Sequence, residues 1–393
     1  MNFKKFYFEN IDNFIPANVW EKAIASNDEL KVAVELMAKI NKLFPDGEIY
    51  IVGGVPRDLL MGNDVDDVDL ATNIPFAELS KHFELRDISK AGAQPVHKLN
   101  YKDFSFDLAQ FRVDSKTQGR SNNVSTLTNK FEEDSARRDI TINSFGLTAE
   151  GKIMDYQNGI ADMNNKVIKA VGNAKERFLE DASRILRIVR FAAKLGFGIE
   201  SETRQAIIDM KDILSDRNVI SNEAISKEFY KAAKSGKTLR NFMEGLADVD
   251  ILKNIMPEFT AMEGMMHNLI HHPEGGGKVL GHILECLSAS TFSDPVINLG
   301  VLFHDFGKAT TYKQVDDKHT YHGHEGAGVP IVEGIFKRMV FPDLSAEDKK
   351  SILNAVANHM LVHNLNGLNV KTLTKLVNDP GWEVLKSVSY CDE

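Results

Sequence analysis

Apolar and polar residues recur with two different periods in the N-terminal part of the chain. Residues 28–43 carry apolar side chains at helical spacing, which predicts an amphipathic helix. Strand-like runs follow at residues 48–52, 65–71 and 102–112, and a polar stretch rich in Ser, Asn and Thr predicts a loop at residues 115–129. Between the first two runs, a proline and a glycine delimit a short predicted helix at residues 57–61.

Helical periodicity dominates the rest of the chain, which carries few strand signals after residue 175. Most of the histidines lie in its last third. The pattern therefore predicts an α+β fold, in which a mixed strand-and-helix region precedes helical ones. We expect four parts, namely an N-terminal extension (1–45), a mixed head (46–155), a helical neck and body (156–265) and an all-helical, histidine-rich domain (266–393).

The composition is that of an ordinary soluble globular protein, with 43% hydrophobic and 26% charged residues among 393. Its two cysteines, Cys286 and Cys391, provide no disulfide framework, which fits a reducing compartment. The N-terminus lacks the apolar segment of a signal peptide, and no apolar run is long enough to span a bilayer. We expect a cytoplasmic protein with no membrane partner.

The net charge of −9 weighs against a nucleic-acid partner, because phosphate binding requires cationic surface. The position of the charges matters more than their sum. Arginines cluster within the motifs described next, so the net charge does not exclude a nucleic-acid partner.

The strongest chemical signal is a strand that runs into Gly53 and Gly54, followed by Arg57 on a helix and then by Asp67 and Asp69. Backbone N–H groups of such a turn can approach a triphosphate closely, and an arginine can bind phosphate. Two carboxylates two residues apart on a strand leave the same face and can hold Mg²⁺ that also binds phosphates. Either motif alone is more often a glycine turn or a solvated acidic loop, but their order and spacing favour a nucleotide site.

Two further features of this region have two interpretations each. Asp107 lies on the polar side of its predicted strand, where it is either a third carboxylate near the metals or an exposed strand residue. Arg137 and Arg138, followed by Asp139, could hold a triphosphate or a ribose, although such a run is more often a surface ion pair.

A polar stripe is predicted on a helix that includes residues 180–190. Its members recur at steps of three, and they are Asp181, Arg184, Arg187 and Arg190. The simpler interpretation is an amphipathic helix with ion pairs between neighbouring turns. Alternatively, the acceptor on Asp181 and the donor on Arg184 match the amine and ring nitrogen of cytosine and adenine, and refuse uracil and guanine. The other two arginines would then be free for phosphates or the RNA end.

Histidines and carboxylates in the last domain have the composition of a metal site. His304 and Asp305 follow an apolar predicted helix, and His282 and Asp392 are their distant partners. This set of nitrogen and oxygen donors suits Mn, Ni, Mg or Fe. Each histidine alone is more often a satisfied polar residue than a ligand.

Taken together, the motifs resemble the bacterial-type (class II) family of tRNA nucleotidyltransferases and poly(A) polymerases. The resemblance covers residues 48–200 and rests on Gly53-Gly54-x-x-Arg57-Asp58, Asp67-x-Asp69, Arg137-Arg138-Asp139-x-Thr141-x-Asn143 and Glu180-Asp181-x-x-Arg184-x-x-Arg187-x-x-Arg190. The histidine-rich end resembles the HD phosphohydrolase superfamily, in the order found in HD domains appended to some CCA-adding enzymes.

The resemblance implies a nucleotidyltransferase-fold head, a base-reading helical neck, CTP and ATP as substrates, Mg²⁺ as cofactor and the 3′ end of tRNA as acceptor. It implies that Asp67 and Asp69 hold the metal and that a flexible loop spans residues 114–120. It assigns the nucleotide to Gly54, Arg57, Arg138, Asp181, Arg184, Arg187 and Arg190. The HD domain implies a metal-dependent phosphohydrolase activity with a transition metal such as Mn or Ni.

The sequence leaves two alternatives to a CCA-adding enzyme. One is a poly(A) polymerase, which shares the same motifs. The other is an HD phosphohydrolase whose head only senses nucleotides.

Overall fold

The computed structural model describes residues 13–65, 67–89, 95–114, 125–266, 274–315 and 318–392. The chain forms two compact units. The first contains Met1–Glu180 and Gly198–Thr203, and the second contains Asp181–Phe197 and Arg204–Glu393. The first unit therefore extends past residue 155, the predicted end of the head.

A seven-stranded sheet is the framework of the first unit, with strands in the order β3-β4-β5-β2-β1-β8-β9. Its strands are β1 (Ile49–Val52), β2 (Asp69–Thr72), β3 (Glu84–Asp87), β4 (Val96–Tyr101), β5 (Phe104–Gln110), β8 (Gly146–Leu147) and β9 (Ile153–Met154). Two small pairs accompany it, antiparallel β6 (Arg112–Asp114) with β7 (Ser125–Leu127), and parallel β10 (Val167–Ile168) with β11 (Gly198–Ile199). Within the large sheet only β2 and β5 run parallel.

Seven helices of the first unit, counting only its described residues, surround this sheet. They are α1 (Ala17–Ser26), α2 (Asp28–Leu43), α3 (Val55–Leu60), α4 (Phe76–Leu79), α5 (Phe131–Ala136), α6 (Gly159–Asn164) and α7 (Ala174–Glu180), with a 3-10 turn at Thr141–Asn143. Helix α2 begins where Asn27 accepts a hydrogen bond from the Leu30 N–H at 2.8 Å. It packs against β1 and β5 through a buried face that includes Leu36 and Ile40.

The strand register separates an apolar face of the sheet from a chemical one. Ile51, Leu70 and Leu108 are neighbours across β1, β2 and β5, and all are almost fully buried. The residues one position away, Asp69 and Asp107, point to the opposite face as direct partners. Side-chain alternation along the strands therefore brings these two carboxylates together.

Where the structure describes the second unit, it is helical apart from one antiparallel strand pair, β12 (Lys313–Val315) with β13 (Lys318–Thr320). Its helices are α8 (Ser183–Leu195), α9 (Ser201–Met210, which begins in the first unit), α10 (Asn222–Ala232), α11 (Gly236–Asp248), α12 (Leu252–Ile255), α13 (Pro257–Thr260), α14 (Val279–Ala289), α15 (Pro295–Phe303), α16 (Lys308–Thr311), α17 (His324–Met339), α18 (Ala346–Val362), α19 (Val370–Val377) and α20 (Trp382–Asp392). None of the helices in the described part of the chain combines the length and apolar character needed to cross a membrane.

The predicted α+β class and the helix at 28–43 are confirmed, whereas three local predictions are wrong. Strand β2 begins at Asp69, because Asp67 before it has a left-handed backbone with φ of 36°. Helix α8 begins at Ser183, so Asp181 lies in the turn before it. The predicted loop at 115–129 ends earlier, since Ser125–Leu127 is strand β7; residues 115–124 lie outside the described ones.

Candidate functional site

The glycine turn after β1 opens space beside a carboxylate. Gly53 has φ of 78°, a conformation that glycine adopts at no steric cost. A Cβ atom at this position would also lie only 3.2 Å from Oδ2 of Asp69. Gly54 begins helix α3, whose first turn contains Pro56. A side chain at position 53 would thus distort the backbone and crowd Asp69.

Three aspartates lie on the chemical face of the sheet or next to it. Asp69 and Asp107 are paired across β2 and β5, and Asp67 lies just before β2. Burial raises the pKa of Asp69 to about 6, together with the charges of Asp107 and Asp67; Arg138 opposes this shift. Lys98 Nζ lies 2.9 Å from Asp107. Clustered hard oxygen donors that repel one another have the chemistry of a divalent-cation site.

Arg57 is buried at 3% exposure and connects two sequence motifs. It donates to both carboxylate oxygens of Asp58, at 3.0 and 2.7 Å, and to Oδ1 of Asn143 at 2.6 Å. The glycine motif and the Arg137–Asn143 motif are thereby joined across 86 residues of sequence. The predicted contact of Arg57 with a triphosphate stays a prediction, and its observed bonds fix the geometry of the turn.

Asp134 organises the second motif, and sequence reasoning assigned it no role. Its fully buried carboxylate accepts hydrogen bonds from Arg137 at 2.8 Å, from Arg138 at 3.0 Å and from the Arg112 backbone N–H at 3.2 Å. Burial alone would raise the pKa of Asp134, but Arg138 and Arg137 lower it below its ordinary value. Arg138 also lies over the ring of Phe131. The predicted surface ion pair is therefore a buried one with Asp134.

The predicted stripe of residues 181–190 lies in the second unit. Asp181 accepts a hydrogen bond from the Ser183 N–H at 2.9 Å, in the turn before α8. The base-reading interpretation left Arg190 free for phosphate or RNA. In the structure, its Nε instead donates a hydrogen bond to buried Glu228 of α10 at 2.5 Å. Arg184 and Arg187 are partly exposed on α8. Their predicted roles, and base reading by Asp181 and Arg184, stay predictions.

The four predicted HD residues converge, although they come from three separate places in the chain. His282 Nε2 lies 2.8 Å from Asp392, and His304 Nε2 lies 3.3 Å from both Asp305 and Asp392. All four side chains are buried or nearly so. The Nε2 atom of His304 makes no hydrogen bond with any described residue, and its Nδ1 lies 2.7 Å from the Val301 carbonyl. That arrangement aims one ring nitrogen at two carboxylates, and this set of donors fits a metal ion.

Two histidines to which sequence reasoning assigned no role complete the cluster. His324 Nε2 lies 3.3 Å from Asp305 Oδ1, and His359 Nε2 lies 4.0 Å from the same atom. Both turn Nδ1 toward a backbone carbonyl at 3.0 Å, which leaves Nε2 facing the centre. Their burial on α17 and α18 is the signal that distinguishes them from ordinary surface histidines. Asp305 thus divides the cluster into two halves: its Oδ2 faces His282 and His304, and its Oδ1 faces His324 and His359.

Charges in this HD cluster strongly perturb one another. Burial lowers the pKa of His304, but Asp305 and Asp392 outweigh it and raise the value to about 10. Burial and the neighbouring His304 lower the pKa of His359 to about 4. The Lys308 ammonium pairs with the Asp305 carboxylate. Burial would raise the pKa of Asp305, but the charges of Lys308 and His304 hold it well below its ordinary range.

Comparisons with known proteins match the regions of the chain that contain these two clusters. The family described as "Poly A polymerase head domain" matches residues 49–169, and "HD domain" matches residues 269–379. The fold is similar to that of the Bacillus stearothermophilus CCA-adding enzyme in complex with CTP, with a TM-score of 0.67 and 20% identity. That alignment covers 93% of this chain and 78% of the other.

Two curated relatives are similar to this chain, and the second of them carries the family assignment. The CCA-adding enzyme of Lactobacillus delbrueckii subsp. bulgaricus is 37% identical over 55% of this chain, but the match spans only about half of that enzyme, 54%. The multifunctional CCA protein of Teredinibacter turnerae is 30% identical over 84% of this chain and 78% of its own length. The chain belongs to the family of CCA-adding enzymes and multifunctional CCA proteins.

Proposed function

We propose that this protein is a tRNA nucleotidyltransferase that adds CMP, CMP and AMP to the tRNA 3′ end, using CTP and ATP and no template. The observation that carries this proposal is the group of carboxylates Asp67, Asp69 and Asp107 beside the glycine turn at Gly53. It is supported by the relatives named CCA-adding enzyme and multifunctional CCA protein.

The three carboxylates would hold Mg²⁺. When bound, such ions polarise the attacking hydroxyl and stabilise the leaving pyrophosphate in an in-line transfer. Asp69 is central to this group, because it is the direct strand partner of Asp107, and burial together with the charges of Asp107 and Asp67 raises its pKa to about 6. Gly53 keeps the space beside it open.

The remaining residues would bind and orient the nucleotide. We assign the triphosphate to the turn at Gly54 and to Arg138, whose guanidinium is held in place by Asp134. Arg57 would support this turn and contact phosphate through any donor that its bonds to Asp58 and Asn143 leave available.

In the neck, we assign base reading to Asp181 and Arg184, and contact with the RNA end to Arg187. Arg190, bound to Glu228, would hold α8 in position rather than bind phosphate through its Nε. We further propose that the chain divides into four parts, with boundaries at residues 45, 155 and 265. A cytoplasmic location is also proposed, and two buried free cysteines support it.

A second activity is favoured by the buried HD cluster. His282, His304, Asp305 and Asp392 would hold a transition metal such as Mn or Ni, and His324 and His359 would face the other oxygen of Asp305. A metal-polarised phosphate ester is the substrate class that such a site can hydrolyse. We therefore propose a phosphohydrolase activity that is independent of the carboxylates in the head.

The experiment that separates these proposals is incorporation of single labelled nucleotides. The protein is incubated with tRNAs that end before the first C, after one C or after CC. We expect CMP on the first two acceptors and a single AMP on the third. Extended AMP incorporation without any CMP would identify a poly(A) polymerase, and no incorporation with retained phosphatase activity would identify an HD hydrolase with a nucleotide-sensing head.

A further inference from the structure

A thiol lies within the HD cluster where the predicted ligand set contains only nitrogen and oxygen. Cys286 follows His282 by one turn of α14, so both side chains leave the same face of the helix. The Cys286 Sγ lies 3.5 Å from His282 Nε2 and 3.7 Å from Nδ1. It is 4% exposed.

This sulfur shares a potential ligand sphere with three of the predicted metal residues. One ligand atom each of His282, Cys286, His304 and Asp392 lie within 4.8 Å of one another. Metal–nitrogen and metal–sulfur bonds of about 2.0 and 2.3 Å place tetrahedral ligands roughly 3.3–3.8 Å apart. The distance from His304 Nε2 to Asp392 is 3.3 Å, so only small movements would be required to enclose an ion.

A separate observation points to a ligand at the same place. His304 is 1% exposed, and its Nε2 lies 3.3 Å from both Asp305 and Asp392 without meeting hydrogen-bond geometry to either. A metal ion held between these groups would satisfy the buried nitrogen and both carboxylates at once. The atom lies 3.3 Å from Asp392, in the same group as the Cys286 sulfur.

We propose that Cys286 is a sulfur ligand of the HD metal, which gives this half of the cluster two imidazoles, one carboxylate and one thiolate. Binding transfers the thiol proton to solvent as the metal–sulfur bond forms. A thiolate selects thiophilic ions, such as Zn²⁺, Co²⁺ or Ni²⁺, over Mg²⁺. This inference rests on the HD metal site proposed above and defines which metals that site accepts.

The other half of the cluster keeps a different donor set. Asp305, His324 and His359 form a second group of three potential ligands without sulfur. Cys391, the other cysteine, is also buried but belongs to neither group. It therefore provides a matched control for any effect of removing a buried thiol.

The test is optical spectroscopy of the full chain after metal removal and loading with Co²⁺. We expect a near-ultraviolet charge-transfer band from thiolate to cobalt in the wild-type protein. The band should disappear in Cys286→Ser and Cys286→Ala, while the visible bands of bound cobalt remain, and it should persist in Cys391→Ser. Zn²⁺ affinity should fall at least about 100-fold in the Cys286 variants. Changes to residues that only support the ligands cost up to about 100-fold, so loss of a ligand itself should cost at least as much.

Each outcome bears on a distinct claim. Visible cobalt bands without a charge-transfer band in the wild-type protein would overturn the role of Cys286 and leave the HD metal site standing. A charge-transfer band that survives in Cys286→Ala would overturn it as well. If the wild-type protein binds no cobalt, and His304→Ala behaves identically, both this inference and the proposed HD metal site are wrong. The wild-type spectrum keeps the test decisive even if a variant misfolds.

Discussion

Asp69 sits where its own ionisation is unfavourable. Its pKa is raised to about 6 by burial and by Asp107 and Asp67. Above about pH 6, the ionised carboxylate therefore lowers the free energy of unfolding of the metal-free protein by its full amount. This penalty decreases as the pH falls and vanishes below the ordinary pKa of 3.8. A divalent ion bound there would remove the penalty, which is a physical reason for the site to bind metal.

The first prediction concerns this penalty. Asp69→Asn should raise the melting temperature of the protein in EDTA near pH 8 by roughly 2 °C, about 1 kcal/mol after allowance for solvent screening. Near pH 4 the effect should be much smaller, since the carboxylate is then protonated in the folded state and only partly ionised in the unfolded state. Thermal melts at both pH values measure this, with exposed Asp64→Asn from the same loop as control. An equal shift at the two pH values would show that charge is not the cause.

Asp134 presents the opposite electrostatic case, a buried carboxylate with more positive than negative neighbours. Asp134→Asn should destabilise the protein by about 3–5 kcal/mol, because Arg137 and Arg138 would remain as partly buried charges without their partner. Since its pKa is lowered, its contribution is present above the ordinary value of 3.8 and is lost as the pH falls through the shifted one.

Urea unfolding measures this second prediction, and Glu132→Gln on the exposed side of α5 is its control. The control should change the free energy of unfolding by no more than about 0.5 kcal/mol. A loss below about 1 kcal/mol in Asp134→Asn would contradict the assigned role, because surface ion pairs have that magnitude.

Among the elements, α8 connects motif chemistry with packing. Its Arg190 forms a buried pair with Glu228 of α10, and Arg190 also stacks over Phe191. Glu228→Gln should lower the free energy of unfolding of the second unit by about 3 kcal/mol, since a buried charge loses its partner. Denaturant unfolding followed by helical circular dichroism measures the loss, and Glu223→Gln on exposed α10 surface should leave stability nearly unchanged.

The elements also show what the sequence reveals and what it conceals. Helix α2 was predictable at both ends because it combines a capping Asn27 with an apolar stripe. Strand β3 was not predicted, because none of its four residues is buried and the polar–apolar alternation is lost. The start of β2 was wrong because the left-handed backbone at Asp67 depends on its surroundings, which periodicity does not report.

For the site residues too, the sequence reveals the order of motifs and conceals contacts between distant elements. The HD set of four was predictable from motif order, whereas His324, His359 and Cys286 join it only through contacts between helices distant in sequence. Asp107 became a neighbour of Asp69 through strand register, which the sequence left open. The exposed and buried members of an arginine run look alike in sequence, so the pairing of Arg190 was missed.

At the scale of the whole molecule, the carboxylates of the head and the HD cluster lie in separate compact units. We expect the two proposed activities to be separable by mutation of these two groups. Asp69→Asn should abolish CMP transfer and leave the metal content of the HD cluster unchanged, while His304→Ala should remove that metal and leave CMP transfer within about twofold of wild type. Elemental analysis and transfer assays on the same samples test this. Loss of both properties in either variant would contradict independent sites.

The most direct test of the central claim is the single-turnover rate of CMP transfer to tRNA lacking its CCA end. The rates of Asp67→Asn, Asp69→Asn and Asp107→Asn are compared with that of the control Asp64→Asn at saturating CTP and Mg²⁺. The account predicts that Asp67→Asn and Asp69→Asn lose at least roughly three orders of magnitude, as expected when groups that stabilise transition-state charge are removed. It predicts a smaller but clear loss for Asp107→Asn and a near wild-type rate for the control. Near wild-type transfer by Asp67→Asn or Asp69→Asn would contradict it.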